Sequence, residues 1–394
     1  MKAFAAVFTS FMIFFSSLTM PAVTWAKQND QNNQNNKLVD QVKSAILIEK
    51  DTGRVLFNKN SNKELPPASM TKIMTLLIIF KALDRHDISL SDKVRVSEHA
   101  ASMGGSQVFL EPGEEMTVNE LLKAIAIGSA NDASMAMAEY IAGSEGDFVK
   151  KMNEEAKDLG LKHTHFENPT GLPAKNHYST AHDMAIMAKA LLHYEKVLKY
   201  TSKYEDYLRE NSDEKFWLVN TNKMIKTYPG VDGLKTGYTN EAKYCLTATA
   251  KRNDMRVIAV VMGAPTTKER NKQVAKLFDY AFANYQTKKL VNAGHVVREV
   301  EVSKSQQGKV PVITQDRVVL LLKKGTDKNK IKTKIQINKN LHAPMKKGTT
   351  VGYYTVTSKG KTLSKTPLVV AENIKEASWW QLFKRNIGKM TNWG

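Results

Sequence analysis

Cysteine is almost absent from this 394-residue chain: Cys245 stands alone, which excludes any intramolecular disulfide framework. Histidine is scarce as well, and Cys and His are too scattered to suggest a metal site, so stability must come from packing. Acidic residues are in deficit, with 39 Asp and Glu against 58 Lys and Arg and a formal charge of +19. Apolar residues are not lacking. At 42% hydrophobic and 25% charged the composition is that of a globular protein and excludes a disordered tail. The length exceeds one ordinary domain of about 100–200 residues, so two domains are expected.

The charge excess invites a nucleic-acid reading, and the N-terminus argues against it. Met1-Lys2 precedes an uncharged stretch, AFAAVFTSFMIFFSSLTMPAVTWA, which ends in small residues at Thr24 and Ala26 before polar Lys27. That is the layout of a secretory signal peptide, residues 1–26, cleaved after Ala26. The stretch is also just long enough to remain as a membrane anchor across about 30 Å of hydrocarbon. An exported basic protein should favour anionic lipid head groups or anionic wall polymers over nucleic acid.

Residues 27–37, KQNDQNNQNNK, form a polar spacer with nothing to bury. From 38 to 288 strand-like and helical patterns mix. VKSAILIEK and GRVLFN flank Asp51-Thr52-Gly53 as a hairpin, and ASMTKIMTLLIIFKALDRHD reads as a long buried helix. Thr117-x-x-Glu120 and Thr180-x-x-Asp183 mark helix starts. YCLTATAKR and MRVIAVVMGA read as strands, followed by an amphipathic helix, TKERNKQVAKLFDYAFANYQ. Helices between early and late strands imply one sheet closed by both ends of the domain.

Residues 289–373 change to short β-branched runs such as VPVIT, RVVLLLKK and TTVGYYTVT, at the spacing of a small β-sandwich or barrel. This module carries more than half of the positive excess, 16 Lys and Arg against 5 Asp and Glu over 291–373. In residues 374–394, Trp379, Trp380, Leu382, Phe383, Ile387, Met390 and Trp393 share one helical arc, with Lys384, Arg385 and Lys389 outside it. That suits a helix lying in a membrane interface; docking on its own protein is the alternative.

The chemistry concentrates in three short motifs. Ser69-Met70-Thr71-Lys72 heads the long apolar helix, where the i, i+3 spacing puts hydroxyl and amine on one face. A desolvated lysine can serve as the base that a weak serine nucleophile needs. Ser212-x-x-Lys215 and Ser358-x-x-Lys361 share the pattern but sit in polar, turn-like sequence. Ser129-Ala130-Asn131 falls in the break between two helices, and Lys235-Thr236-Gly237 beside a strand near the sheet edge. Separately these read as a helix cap and a hairpin turn; together they follow the order of the S-x-x-K, S-D-N and K-T-G set of class A β-lactamases and penicillin-binding proteins, with S-A-N here as the middle motif.

With GSQVFLEPGE, LGLKHTHFENPTGLPAKNHYSTAHDMA and YPGVDGLKTGYT added, the chain resembles the serine-type D-Ala-D-Ala carboxypeptidases, low-molecular-mass penicillin-binding proteins, over nearly its whole length. The resemblance implies an α/β (α+β) domain of the penicillin-recognising serine transpeptidase/β-lactamase type, a small all-β sandwich domain and a C-terminal amphipathic helix anchored to the outer face of the cytoplasmic membrane. It implies no cofactor and no metal. The substrate would be a peptidoglycan stem peptide ending in D-Ala-D-Ala, with β-lactams as inhibitors.

By the same resemblance Ser69 is the nucleophile and Lys72 its base, Ser129 passes the proton to the leaving amine, and Asn131 orients Lys72. Lys235 and Thr236 hold the substrate carboxylate, Gly237 leaves room for the substrate, and the N–H groups of Ser69 and Tyr238 form the oxyanion hole. Arg270, in MGAPTTKER, matches a carboxylate-binding arginine on a looser pattern. Glu167 receives no catalytic role, His163, His165, His177 and His182 read as polar loop residues, and Cys245 as a small buried hydrophobe. A β-lactamase, a D,D-endopeptidase or transpeptidase, and a non-catalytic wall-binding protein remain as alternatives.

Overall fold

The computed structural model describes residues 38–383 apart from 211, 326–330 and 359. The expected signal peptide (1–26), the spacer (27–37) and residues 384–394 of the expected terminal helix lie outside the described residues.

The chain opens with β1 (Ser44–Glu49) and β2 (Val55–Lys59), the hairpin expected around Asp51-Thr52-Gly53. A 3-10 turn, Ala68–Thr71, then runs into α1 (Lys72–Asp84). Nine of the first nine residues of α1, Lys72 to Phe80, are buried, as an apolar sequence without a polar face requires. Next come α2 (Val118–Lys123), α3 (Asn131–Ala142), α4 (Glu145–Asp158) and α5 (Ala181–Leu191). Thr117 and Glu120 close a reciprocal capping box on α2, and Thr180 caps α5 by accepting from the Asp183 N–H, so both start signals act as written.

A hairpin of β3 (Glu205–Leu208) and β4 (Phe216–Val219) precedes three long strands, β5 (Val231–Thr239), β6 (Lys243–Arg252) and β7 (Met255–Ala264), and then α6 (Thr267–Asn284). The main sheet is antiparallel in the order β2-β1-β7-β6-β5. Early and late strands meet where β1 pairs with β7, with Ala45 opposite Val261 and Leu47 opposite Ala259.

Both faces of this sheet are covered, which explains why β1 and β7 read as continuous apolar runs. Alternation divides each strand between two cores. Ile46, Ile48, Ile258, Val260 and Met262 face the helical core around α1, α3 and α5. Ala45, Leu47, Val257, Ala259 and Val261 face Val274, Leu277 and Phe278 of α6. Each fully buried Ile, Leu or Phe side chain contributes about 1.5–3 kcal/mol, so the two cores fix the sheet to the helices on both sides.

The β-rich module begins with β8 (Tyr285–Val291), continuous with α6, followed by β9 (Val296–Glu301), β10 (Lys309–Thr314), β11 (Val318–Lys323), β12 (Ile331–Ile337), β13 (Thr350–Ser358) and β14 (Lys361–Val370). One sheet runs β9-β10-β14-β13-β12 and a second pairs β8 with β11. The division expected at 288/289 thus falls inside β8. Leu321 of β11 packs with Tyr285 in the core beneath α6, so the two parts share an apolar seam. Residues 379–383 are helical, and no described helix is long and apolar enough to cross a membrane.

Candidate active site

Ser69 lies in the 3-10 turn before α1, half-buried between buried Ala68 and Met70. One helical step on, the Lys72 amine is fully buried, with Nζ 3.3 Å from Ser69 Oγ. The amine donates to Asn131 Oδ1 at 2.6 Å and to the carbonyl of Thr170 at 2.7 Å. Burial drives its pKa well below the ordinary lysine value and the charge of nearby Lys235 adds to the fall, against a weaker pull from Asp132.

Asn131 is the first residue of α3. Its side-chain amide donates to the carbonyl of Gly104 at 2.6 Å and its backbone N–H to Ser106 at 2.7 Å, so the carbonyl oxygen is left pointing at Lys72. Ser129 ends a short π-turn, Ala124–Gly128, in the left-handed conformation (φ 65°) and is buried. A tight polar turn between two apolar helices is thereby held against the Lys72 side of the cleft.

Edge strand β5 brings the third motif. Lys235 is 1% exposed, and its pKa falls to about 7 through burial first and the Arg270 charge second. Thr236 Oγ1 donates to Thr221 Oγ1 at 2.7 Å. Gly237 has a packing reason of its own: a Cβ there would stand 2.7 Å from the Pro67 carbonyl and 3.1 Å from Ala68 Cβ. The missing side chain lets β5 close on the turn that carries Ser69. Tyr238, half-exposed, lies tilted at 35° against Tyr244, 4.5 Å between centroids.

Arg270, in the first turn of α6, is buried. It is 4% exposed, its guanidinium donates to Asn271 Oδ1 at 2.9 and 3.0 Å, and burial lowers its pKa to about 10. Cys245 is fully buried, its thiol pushed up to about 11 by burial, which leaves it protonated and unreactive. Among the described residues no group of His, Cys, Asp and Glu side chains could hold a metal ion.

Sequence reasoning missed the loop from Glu167 to His177. Besides the Thr170 carbonyl on Lys72, Pro169 accepts from Thr75 Oγ1 at 2.6 Å, and Gly171 (φ +84°) has no room for a Cβ, which would overlap the Ala68 carbonyl. His177 departs from the polar-loop reading. It is 7% exposed with Nε2 2.8 Å from Thr71 Oγ1, while Nδ1 accepts the Glu167 N–H at 3.2 Å. That acceptor role puts the ring proton on Nε2, which donates to Thr71. Burial, then His165, lowers its pKa to about 4, so the tether stays neutral. The one sequence signal was Asn168-x-x-Gly171, whose Asn168 Oδ1 accepts the N–H groups of Thr170 and Gly171.

Residues 30–266 match the family described as D-alanyl-D-alanine carboxypeptidase, and residues 285–376 match the C-terminal domain of penicillin-binding protein 5. The chain is 55% identical to D-alanyl-D-alanine carboxypeptidase DacF of Bacillus subtilis over 97% of its length and 98% of that protein. It is 34% identical to D-alanyl-D-alanine carboxypeptidase DacC of Escherichia coli, covering 85% of this chain and 84% of that one. The crystal structure of penicillin-binding protein 5 from Haemophilus influenzae superposes with a TM-score of 0.66 at 31% identity, over 85% of this chain and 98% of the other. A serine–lysine cleft on this sheet and matches across both domains lead to one conclusion: the chain belongs to the D-alanyl-D-alanine carboxypeptidase family.

Proposed function

We propose that this D-alanyl-D-alanine carboxypeptidase works through an acyl-enzyme on Ser69, removing the terminal D-Ala from peptidoglycan stem peptides, and that penicillin acylates the same hydroxyl. One observation carries the assignment. A neutral amine has two N–H donors and one lone pair; on Lys72 the Asn131 and Thr170 oxygens take the donors, which leaves the lone pair for the Ser69 hydroxyl.

Ser69 Oγ attacks the carbonyl of the penultimate D-Ala as Lys72 takes its proton. The N–H groups of Ser69 and Tyr238 receive the oxyanion. Ser129 relays the proton to the amine of the terminal D-Ala, which leaves as the C–N bond breaks. Lys235 and Thr236 hold the substrate carboxylate, and Arg270 behind Lys235 keeps that end of the cleft positive. Water, activated by Lys72 in turn, hydrolyses the ester and restores Ser69.

Export through residues 1–26 and anchoring through residues 374–394 belong to the same proposal. The exposed stack of Trp379, Trp380 and Phe383, with centroids 5.2–6.2 Å apart, supports an interfacial helix. The domain limits 38–288 and 289–373 are retained as the catalytic and β-rich parts, with β8 bridging them.

D-alanine release from a pentapeptide ending in D-Ala-D-Ala tests the reading, with intact mass after penicillin as a second readout. The wild type should release D-alanine and gain one penicillin; Ser69→Ala should do neither. A Ser69→Ala protein that still takes up penicillin covalently would place the nucleophile elsewhere.

A further inference from the structure

Phe109 combines features that packing alone does not account for. Its backbone is left-handed (φ 55°), a conformation that costs a bulky residue about 1 kcal/mol or more, and its side chain is 67% exposed. The neighbours on either side, Val108 and Leu110, are buried. The strained turn is held from both sides. The N–H groups of Val108 and Leu110 both donate to buried Asp132 Oδ2, at 3.0 and 3.2 Å. The carbonyls of Val108 and Phe109 both accept from Arg209, each at 3.2 Å, and Arg209 is itself fixed by two bonds to Glu114. Four hydrogen bonds thus impose an unfavourable backbone whose result is an aromatic ring turned outward. Strain maintained in this way points to use of the side chain.

The turn that carries the ring starts at the cleft. The Ser106 carbonyl accepts the Asn131 N–H, and Phe109 follows three residues later, within about 10 Å of chain. Edge-to-face with it, centroids 6.1 Å apart, is Phe216 of β4. Two residues along β4, Leu218 packs on Gly128, next to Ser129, and the chain beyond leads to Thr221, the partner of Thr236. Phe109 and Phe216, seated over buried Leu218, therefore form an apolar edge on the side of the cleft bounded by Ser129 and Thr236. In the acyl-enzyme reading, on which this inference rests, that is the side where the leaving residue sits: Ser129 serves its amine and Thr236 its carboxylate.

We propose that Phe109, backed by Phe216, is a specificity-determining residue that receives the side chain of the leaving D-amino acid, so that the enzyme accepts leaving residues with apolar side chains longer than a methyl. Alanine is too short to reach the ring, whereas a straight four-carbon chain can cover it.

Two N-acetylated peptides test this, one ending in D-Ala-D-Ala and one in D-Ala-D-norleucine, with kcat/KM measured for wild type, Phe109→Ala and Phe109→Gly. The ratio of D-norleucine to D-alanine release should fall about tenfold in both variants, the usual worth of one or two methylenes in an apolar site. Phe109→Gly should also raise the melting temperature, because glycine adopts this backbone without strain. A ratio unchanged within twofold overturns the proposal, and so does a lowered melting temperature in Phe109→Gly with no change in the ratio, which would make the ring a packing element. A wild type that releases neither residue fails the carboxypeptidase reading itself, and is told apart by that result.

Discussion

Two places in this molecule bury several charges together, and they do so to opposite effect. In the cleft, Lys72, Lys235 and Arg270 are each under 5% exposed, and among the described residues none makes an ion pair. Asp132, the buried acid near them, spends its oxygens on the N–H groups of Val108, Leu110 and Ala133. Between the two domains, by contrast, opposite charges are matched. Asp51 of the β1–β2 turn binds Arg317 at 2.7 Å and Lys50 at 3.3 Å, Arg317 also donates to the Asp254 carbonyl, and His193 binds Asp316 at 3.1 Å. Burial without a counter-charge pushes amines toward the neutral form, as a base requires; burial with counter-charges fixes the charges and joins surfaces. Lys189 lies between these cases: burial lowers its pKa, while Asp316 and Glu49 pull it back up.

Exchange of the two roles gives the largest expected effect. Lys72→Gln should slow penicillin acylation by about 10³-fold, within the range for loss of a general base, with the melting temperature equal or higher. Asp51→Ala should leave acylation within a few-fold and destabilise by about 3 kcal/mol, since it strands the Arg317 guanidinium in a half-buried site. Stopped-flow acylation and calorimetry on both variants decide it. If Lys72→Gln proved as destabilising as Asp51→Ala, the cleft would be architecture as much as chemistry.

A smaller effect should appear in the pH dependence. In the proposed mechanism Lys72 must lose its proton to act, which sets the acidic limb of kcat/KM, and Lys235 must keep its proton to hold a carboxylate, which sets the alkaline limb. With Lys235 brought down to about 7 by burial and then Arg270, activity should fall as pH rises through that value. The two amines interact, so the limbs belong to the pair. Lys235→Arg should carry the alkaline limb up by more than one unit, because a guanidinium keeps its charge there. Profiles from pH 5 to 10 on both proteins measure this, and superimposable alkaline limbs would remove Lys235 from the role.

What could be read without the structure follows from how each feature is encoded. Ser69 and Lys72 were legible because three residues of helix put them on one face, and β1 and β7 because their apolar runs have no polar alternate. The Thr170 carbonyl was not, since a backbone acceptor has no letter of its own. Gly237 was noticed for the substrate, yet its neighbour is the Pro67 carbonyl, 170 positions away in sequence. His177 looked polar among polar neighbours, and only the fold brings Thr71 to it. The passage from α6 into β8 was not legible either, because no turn residue marks it.

The smallest effect lies at the edge of the matched cluster. His193 is raised above its ordinary 6.5, chiefly by its hydrogen bond to Asp316 and against burial. A group raised in the folded state adds stability that is complete below about 6.5 and is lost as pH climbs through the folded value. Asp316 shows the opposite sign: burial raises it, but His193 and Lys50 bring it below 3.8, so its contribution is present above that value and fades only in acid. The bond is therefore whole at mildly acidic pH and weakens first on the alkaline side. His193 is 40% exposed, so solvent screening holds the effect to a few tenths of a kcal/mol, or about 1 °C in melting temperature. Between pH 6 and 8.5 the wild type should lose about 1 °C more than His193→Gln by calorimetry. Equal losses would assign the joint to the Arg317–Asp51 pair and would show that a matched cluster can carry a titratable residue without depending on it.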